Sequence, residues 1–131
     1  MSDLARELVA LPGFRWMPGM LATPVAYRCV GIYGEPLLPY GTCEDEGAEQ
    51  ELWPFAHDWL PDLTDPATLG CLLALVREAW GDVWAYVAPH HNQGGSSWMC
   101  WVTGPGGMGD HFYGPDGTVA AALVAAFRAA P

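Results

Sequence analysis

The most regular hydrophobic spacing in the chain lies in "LTDPATLGCLLALVREAWGD", residues 63–82. Leu69, Leu72, Leu73, Val76 and Trp80 recur at helical spacing, and Leu75 and Ala79 widen the stripe. Asp65 suits the cap, Pro66 the first turn, where its missing N–H costs nothing, and Gly81 the stop. The pattern predicts a helix buried against a sheet. Two shorter helices are predicted at the ends. Leu4, Leu8 and Leu11 follow Ser2 or Asp3 and are halted by Pro12 and Gly13, while Val119, Leu123 and Phe127 follow a cap at Asp116 or Thr118.

Alternation replaces helical spacing after Gly81. In "DVWAYVA" Val83, Ala85 and Val87 alternate with Trp84 and Tyr86, and in "SWMCWVT" Trp98, Cys100 and Val102 alternate with Met99, Trp101 and Thr103. These read as an antiparallel hairpin whose long connection is "PHHNQGGS", with His90 to Ser96 at an exposed tip. Large apolar groups on both faces predict cover on both sides. Upstream, "GFRWMPGM" reads as an ordered loop anchored by Phe14 and Trp16. "VAYRCVGIYG" and "EPLLPYGT" supply short strands, the latter pushed to an edge by Pro36 and Pro39. Residues 43–64 lack periodicity and read as an acidic, aromatic-containing surface connection. The expectation is one compact α+β domain over residues 1–131, an antiparallel β-sheet covered by two or three helices.

Composition narrows the function classes. Fifteen acidic residues face five basic ones, all arginine, for a formal net charge of −10, so direct nucleic-acid binding is disfavoured. Attraction to a basic protein surface is permitted, although an acidic surface also simply keeps a tryptophan-rich domain soluble. No apolar run approaches the ~20 residues that span a bilayer, and no secretory signal is visible at the start, so no membrane association and a cytoplasmic location are expected. Cys29, Cys43, Cys71 and Cys100 show no CxxC spacing and are expected reduced, Cys71 and Cys100 packing as small hydrophobes.

Candidate chemistry is sparse. His90, His91, Cys100, Asp110 and His111 could converge on a metal, but their spacing matches no metal pattern, and a polar connection accounts better for the histidines. Ser96, Ser97 or Cys100 could pair with His57, His90, His91 or His111, oriented by Asp58 or Asp110, yet none stands in a nucleophile elbow. The stretch "GPGGMGDHFYGPDG" resembles neither a Walker loop nor a dinucleotide fingerprint, and reads as a turn-rich connection. No catalytic residue, metal or cofactor is expected. Glu44, Asp45, Glu46, Glu49 and Glu51 form the one dense charge run, and Trp53, Phe55 and Trp59 follow it closely. Acid mixed with aromatic anchors suits recognition of a basic, apolar-centred protein surface, and His90 and His91 join these residues as candidate partner contacts.

Three stretches, "LPGFRWMPGM" (Leu11 to Met20), "PDLTDPATLGCLLALVREAWG" (Pro61 to Gly81) and the ending "ALVAAFRAAP", resemble a family of small proteins encoded in bacteriophage and prophage genomes. The helix, two strands and helix after Pro61 are also similar to phage α–β–α sandwich domains. The resemblance brings no catalytic or ligand residues. It implies a setting, the infected host cytoplasm, and together with the acidic charge and the tryptophan content it leads to the expectation of an accessory protein that is not an enzyme and inhibits an anti-phage defence protein, for example a CRISPR-type component. A protein that sequesters a small ligand such as a nucleotide signal and an oligomeric structural or assembly protein are the alternatives, and a homodimer is left open.

Overall fold

Asp65 fixes the start of the longest helix, because its Oδ2 accepts both the backbone N–H and the hydroxyl of Thr68 at 2.9 Å. The computed structural model describes residues 2–23, 27–28, 59–92, 95–104, 107–114 and 116–131. Helices α1 (Ser2–Val9), α2 (Pro66–Trp80) and α3 (Val119–Ala129) bracket two runs of three strands, β1 (Leu21–Thr23), β2 (Tyr27–Arg28) and β3 (Leu60–Pro61), then β4 (Tyr86–Asn92), β5 (Gly95–Thr103) and β6 (Gly109–Tyr113). The strands form two antiparallel three-stranded sheets, β2-β1-β3 and β4-β5-β6. The α+β class is therefore as expected, with antiparallel sheets and three helices among the described residues.

The chain divides into two compact units, Met1–Ala10 with Phe14–Cys71, and Leu11–Gly13 with Leu72–Pro131. In the first, Ala5 and Leu8 turn the buried side of α1 inward, and Met20, Ala22 and Leu63 join them in the core. Thr68, also buried, donates no hydroxyl to water: it bonds Asp65 and accepts the Leu21 N–H at 2.9 Å, tying helix α2 to β1. Pro61 stands on the outer strand of this sheet, where a missing N–H interrupts no ladder. Phe14 and Trp16 meet edge to face at 5.7 Å in the loop before β1.

In the second unit, α3 covers one face of β4-β5-β6. Thr118 caps it by accepting the Ala121 N–H at 3.1 Å, and seven of its side chains are buried, from Ala120 to Phe127. Alanines let it approach closely. A Cβ at Gly114 would land inside Ala121, backbone included, so only glycine fits there. The covered face of the sheet supplies Cys100 and Val102, both fully buried, with Phe112 beside Trp80 at 5.7 Å. The Trp80 indole donates to the Ala126 carbonyl at 2.8 Å, satisfying its N–H as a largely packed tryptophan must.

Four expectations are corrected. The polar "PHHN" segment is strand: Asn92 pairs with Gly95, so His90 and His91 belong to β4 rather than to an exposed tip. Proline and histidine have weak strand preference, but Pro89 lies where its nitrogen faces away from β5, and the ladder runs on past it. Conversely, Val83 and Trp84 form a turn, not strand, because the Asp82 side chain takes the place that β4 would have had beside Thr103. The glycine-rich connection contains β6, whose alternation was hidden among glycines. Helices cover only one face of this sheet among the described residues; Tyr86 and Tyr113 on the other are 44% and 39% exposed. The acidic connection, including Glu44, Asp45, Glu46, Glu49, Glu51, Trp53 and Phe55, lies outside the described residues, as do Cys29, Cys43, His57 and Asp58. Its described end is not irregular, since Leu60 and Pro61 pair with Thr23 and Ala22.

Candidate functional site: an uncovered aromatic sheet face

Register and alternation decide which side chains share the open face of β4-β5-β6. Tyr86, Ala88 and His90 of β4 stand opposite Trp101, Met99 and Ser97 of β5, and His111 and Tyr113 of β6 stand opposite Trp101 and Met99. Directly opposed residues share a face, so this set is continuous. The ring geometry agrees. Trp101 and His111 stack at 5.7 Å with planes 7° apart, His111 meets Tyr113 edge-on at 5.3 Å, and His90 reaches across the central strand to Tyr113 at 5.3 Å. The Tyr113 hydroxyl lies 4.0 Å from the Met99 sulfur.

The face is built, not incidental. A Cβ at Gly109 would fall within the Trp101 indole, so glycine there lets the ring lie down on the strand beside His111. None of the five arginines lies in these strands, and the chain has no lysine. The face therefore carries π surfaces, and its own strands contribute no arginine or lysine to it.

Each outer edge of the sheet carries features that oppose an added strand. The N–H groups of Trp98 and Gly104 bond Gly117 and Met108, on the β6 side, which fixes even-numbered β5 residues toward β6 and odd-numbered ones toward β4. Pro89, opposite Trp98, then points its nitrogen outward and offers no donor. Arg77 Nε already occupies the Ala85 carbonyl at 2.9 Å, next to where β4 begins. On β6 the outward N–H of His111 is taken by Asp110 Oδ1 at 2.8 Å. Recognition by strand addition is opposed, and the face remains.

At the end of the sheet where β4 starts, Val83 and Trp84 project into solvent, Trp84 being 83% exposed. Their turn is nonetheless fixed. Asp82, itself buried, accepts the N–H of Trp84 at 2.9 Å and of Thr103 at 2.8 Å.

Of the residues singled out in the sequence, His90 joins the face and stands half-buried in it, and His91 follows in β4 as the partner of Ser96. Trp59 is half-buried immediately before β3. Cys100 lies on the opposite, covered face from His90 and His111, so strand alternation separates it from these histidines. Burial pushes its thiol up to about 11, with Arg77 opposing and Asp82 adding to the shift. That is the reverse of an activated nucleophile. Among the described residues no group of three or more histidine, cysteine or carboxylate side chains could hold a metal, and no helix is long and apolar enough to cross a membrane. Tyr86, Met99, Trp101, His111 and Tyr113 had not been singled out as contacts. Their shared face was legible only once β6 was recognised as a strand.

The fold and site define an α+β protein that displays an aromatic sheet surface. Compared with protein-family models, with curated proteins and with solved structures, the chain matches none.

Proposed function

We propose that the protein is a non-enzymatic accessory protein that acts by binding another protein through the face of β4-β5-β6 that α3 does not cover. The observation that carries this reading is the continuous array of Tyr86, Trp101, His111 and Tyr113 on one face of the sheet. Large aromatic residues in a shared patch are the side chains that dominate binding energy at protein interfaces. A net charge of −10 favours a partner with a basic surface and speeds its encounter. The acidic run at Glu44 to Glu51 with Trp53, Phe55 and Trp59 is a second candidate contact region in this reading. The setting, an infected bacterial cytoplasm in which the partner is an anti-phage defence protein such as a CRISPR-type component, rests on the resemblance of residues 11–20, 61–81 and 122–131 to phage-encoded proteins.

The test pairs capture with phenotype. Immobilised protein is expected to retain one stoichiometric host protein that salt and Trp101→Ala both release, and its expression is expected to restore phage plating on a defended host. Absence of a stoichiometric partner together with unchanged plating overturns the reading.

A further inference from the structure

We infer that the aromatic face selects arginine, so that the partner segment it holds presents guanidinium groups rather than ammonium groups; this rests on the protein-binding reading above. Four observations converge. First, the exposed and half-exposed rings of Tyr86, Trp101 and Tyr113 offer π surfaces to which cations are drawn, and the strands around them contain no lysine or arginine to occupy those surfaces from within. Second, the chain as a whole carries −10, which complements a cationic segment and disfavours an anionic one.

Third, the face already accommodates a flat nitrogen-bearing group. The His111 imidazole lies parallel to the Trp101 indole, 7° off, in a stack that the bare backbone of Gly109 makes possible. A guanidinium is planar, weakly hydrated and stacks on aromatic rings in the same way, whereas an ammonium is compact and strongly hydrated. Fourth, the adjoining edge of β6 is biased toward acceptors. Its outward residues are Gly109, His111 and Tyr113 by register, and the His111 N–H is consumed by the exposed Asp110 carboxylate, which lies at that edge. Arginine has five donors and no acceptor, so it matches π surface flanked by carbonyl and carboxylate oxygen.

The inference is tested by calorimetric titration of the whole protein with three short peptides at near-physiological salt, alternating glycine with arginine, with lysine or with citrulline. The arginine peptide is expected to bind about tenfold tighter than the lysine peptide, and Trp101→Ala or Tyr113→Ala is expected to cost about tenfold in that affinity. Citrulline, planar but uncharged, is expected not to bind. Asp3→Asn, which removes an exposed charge on α1, is expected to leave the arginine affinity unchanged. Folding of each variant is checked by amide spectrum dispersion, and half-exposed Tyr113 serves where Trp101→Ala disturbs the sheet. Equal binding of arginine and lysine peptides, lost in both face variants, overturns guanidinium selection and leaves the protein-binding reading standing. Affinity that ignores both variants, or no binding by any peptide, overturns guanidinium selection as well, and the host-protein capture described above then decides the broader reading separately.

Discussion

Asp82 Oδ2 accepts the Thr103 N–H at 2.8 Å, twenty-one residues away, from a carboxylate that is itself buried. Thr103 is the last residue of β5, and its N–H points to the side where β4 would lie if β4 began two residues sooner. One side-chain oxygen thus stands in for a backbone carbonyl. The other holds the Trp84 N–H, so the same carboxylate ends one ladder and shapes the projecting Val83–Trp84 turn.

Asp82→Ala is therefore expected to cost about 1–3 kcal/mol, the range for stranding a donor that had a partner. Urea unfolding measures the loss. Hydrogen exchange at the Thr103 and Trp84 amides should accelerate well beyond that at Cys100, in mid-strand. Equal acceleration throughout the sheet would show that Asp82 acts globally instead of locally.

Trp84→Ala is expected to leave stability within about 0.5 kcal/mol of the parent, because an 83% exposed side chain has little packing to lose. A melting temperature shifted by several degrees would contradict that.

Gly114→Ala should destabilise the second unit by about 1–3 kcal/mol or more, since the added methyl collides with the Ala121 backbone and no rotamer relieves it. Gly114→Ala combined with Ala121→Gly is expected to recover only part of this, because the clash includes main-chain atoms. Thermal melts of the single and double variants check both statements.

Cys100 makes stability fall at alkaline pH. Its folded thiol holds its proton up to about 11 against an ordinary value of 9.0, so the folded state binds the proton more tightly than the unfolded one. The contribution is complete below about pH 9 and is lost as pH rises toward 11, amounting to about 3 kcal/mol at most. Denaturation midpoints across that window should decline in the parent and decline less in Cys100→Ala.

Asp116 works in the opposite direction. The Thr118 N–H at 3.0 Å and hydroxyl at 2.7 Å hold its carboxyl below the usual range, so its contribution is present above the ordinary carboxylate value and is lost as pH falls through the lowered one. The group is exposed and the effect correspondingly screened. Thr118→Ala should cost about 1 kcal/mol as a lost helix cap and return the Asp116 titration, followed by NMR, toward the ordinary range.

Local rules determined the helices. Asp65, Pro66 and Gly81 bound α2 as their chemistry dictates, Thr118 caps α3, and Pro12 and Gly13 lie just beyond α1, because caps and stops depend on neighbours within a turn. The buried side of α2 was less legible. Thr68, Leu72, Leu75 and Val76 form it, while Leu69 and Leu73 are only half-buried, a rotation that the packed neighbours set and periodicity alone does not. The α+β class and the core role of Cys100 also followed from alternation and spacing.

The site did not. His90 was visible as an unusual residue, but placing it on a sheet face required the pairing of Asn92 with Gly95, a contact between residues whose own preferences argue against strand. Whether an aromatic faces helix or water depends on which face the helix covers, and strands with apolar groups on both sides leave that open in sequence. Tertiary structure decided it: Ala121 fits only against Gly114, so α3 lies on the Cys100 side, and Trp101, His111 and Tyr113 stand on the face that α3 does not cover. Sequence determined what each segment could become, through interactions a few residues long; which face of the sheet α3 covers arose from contacts between segments that no short-range rule contains.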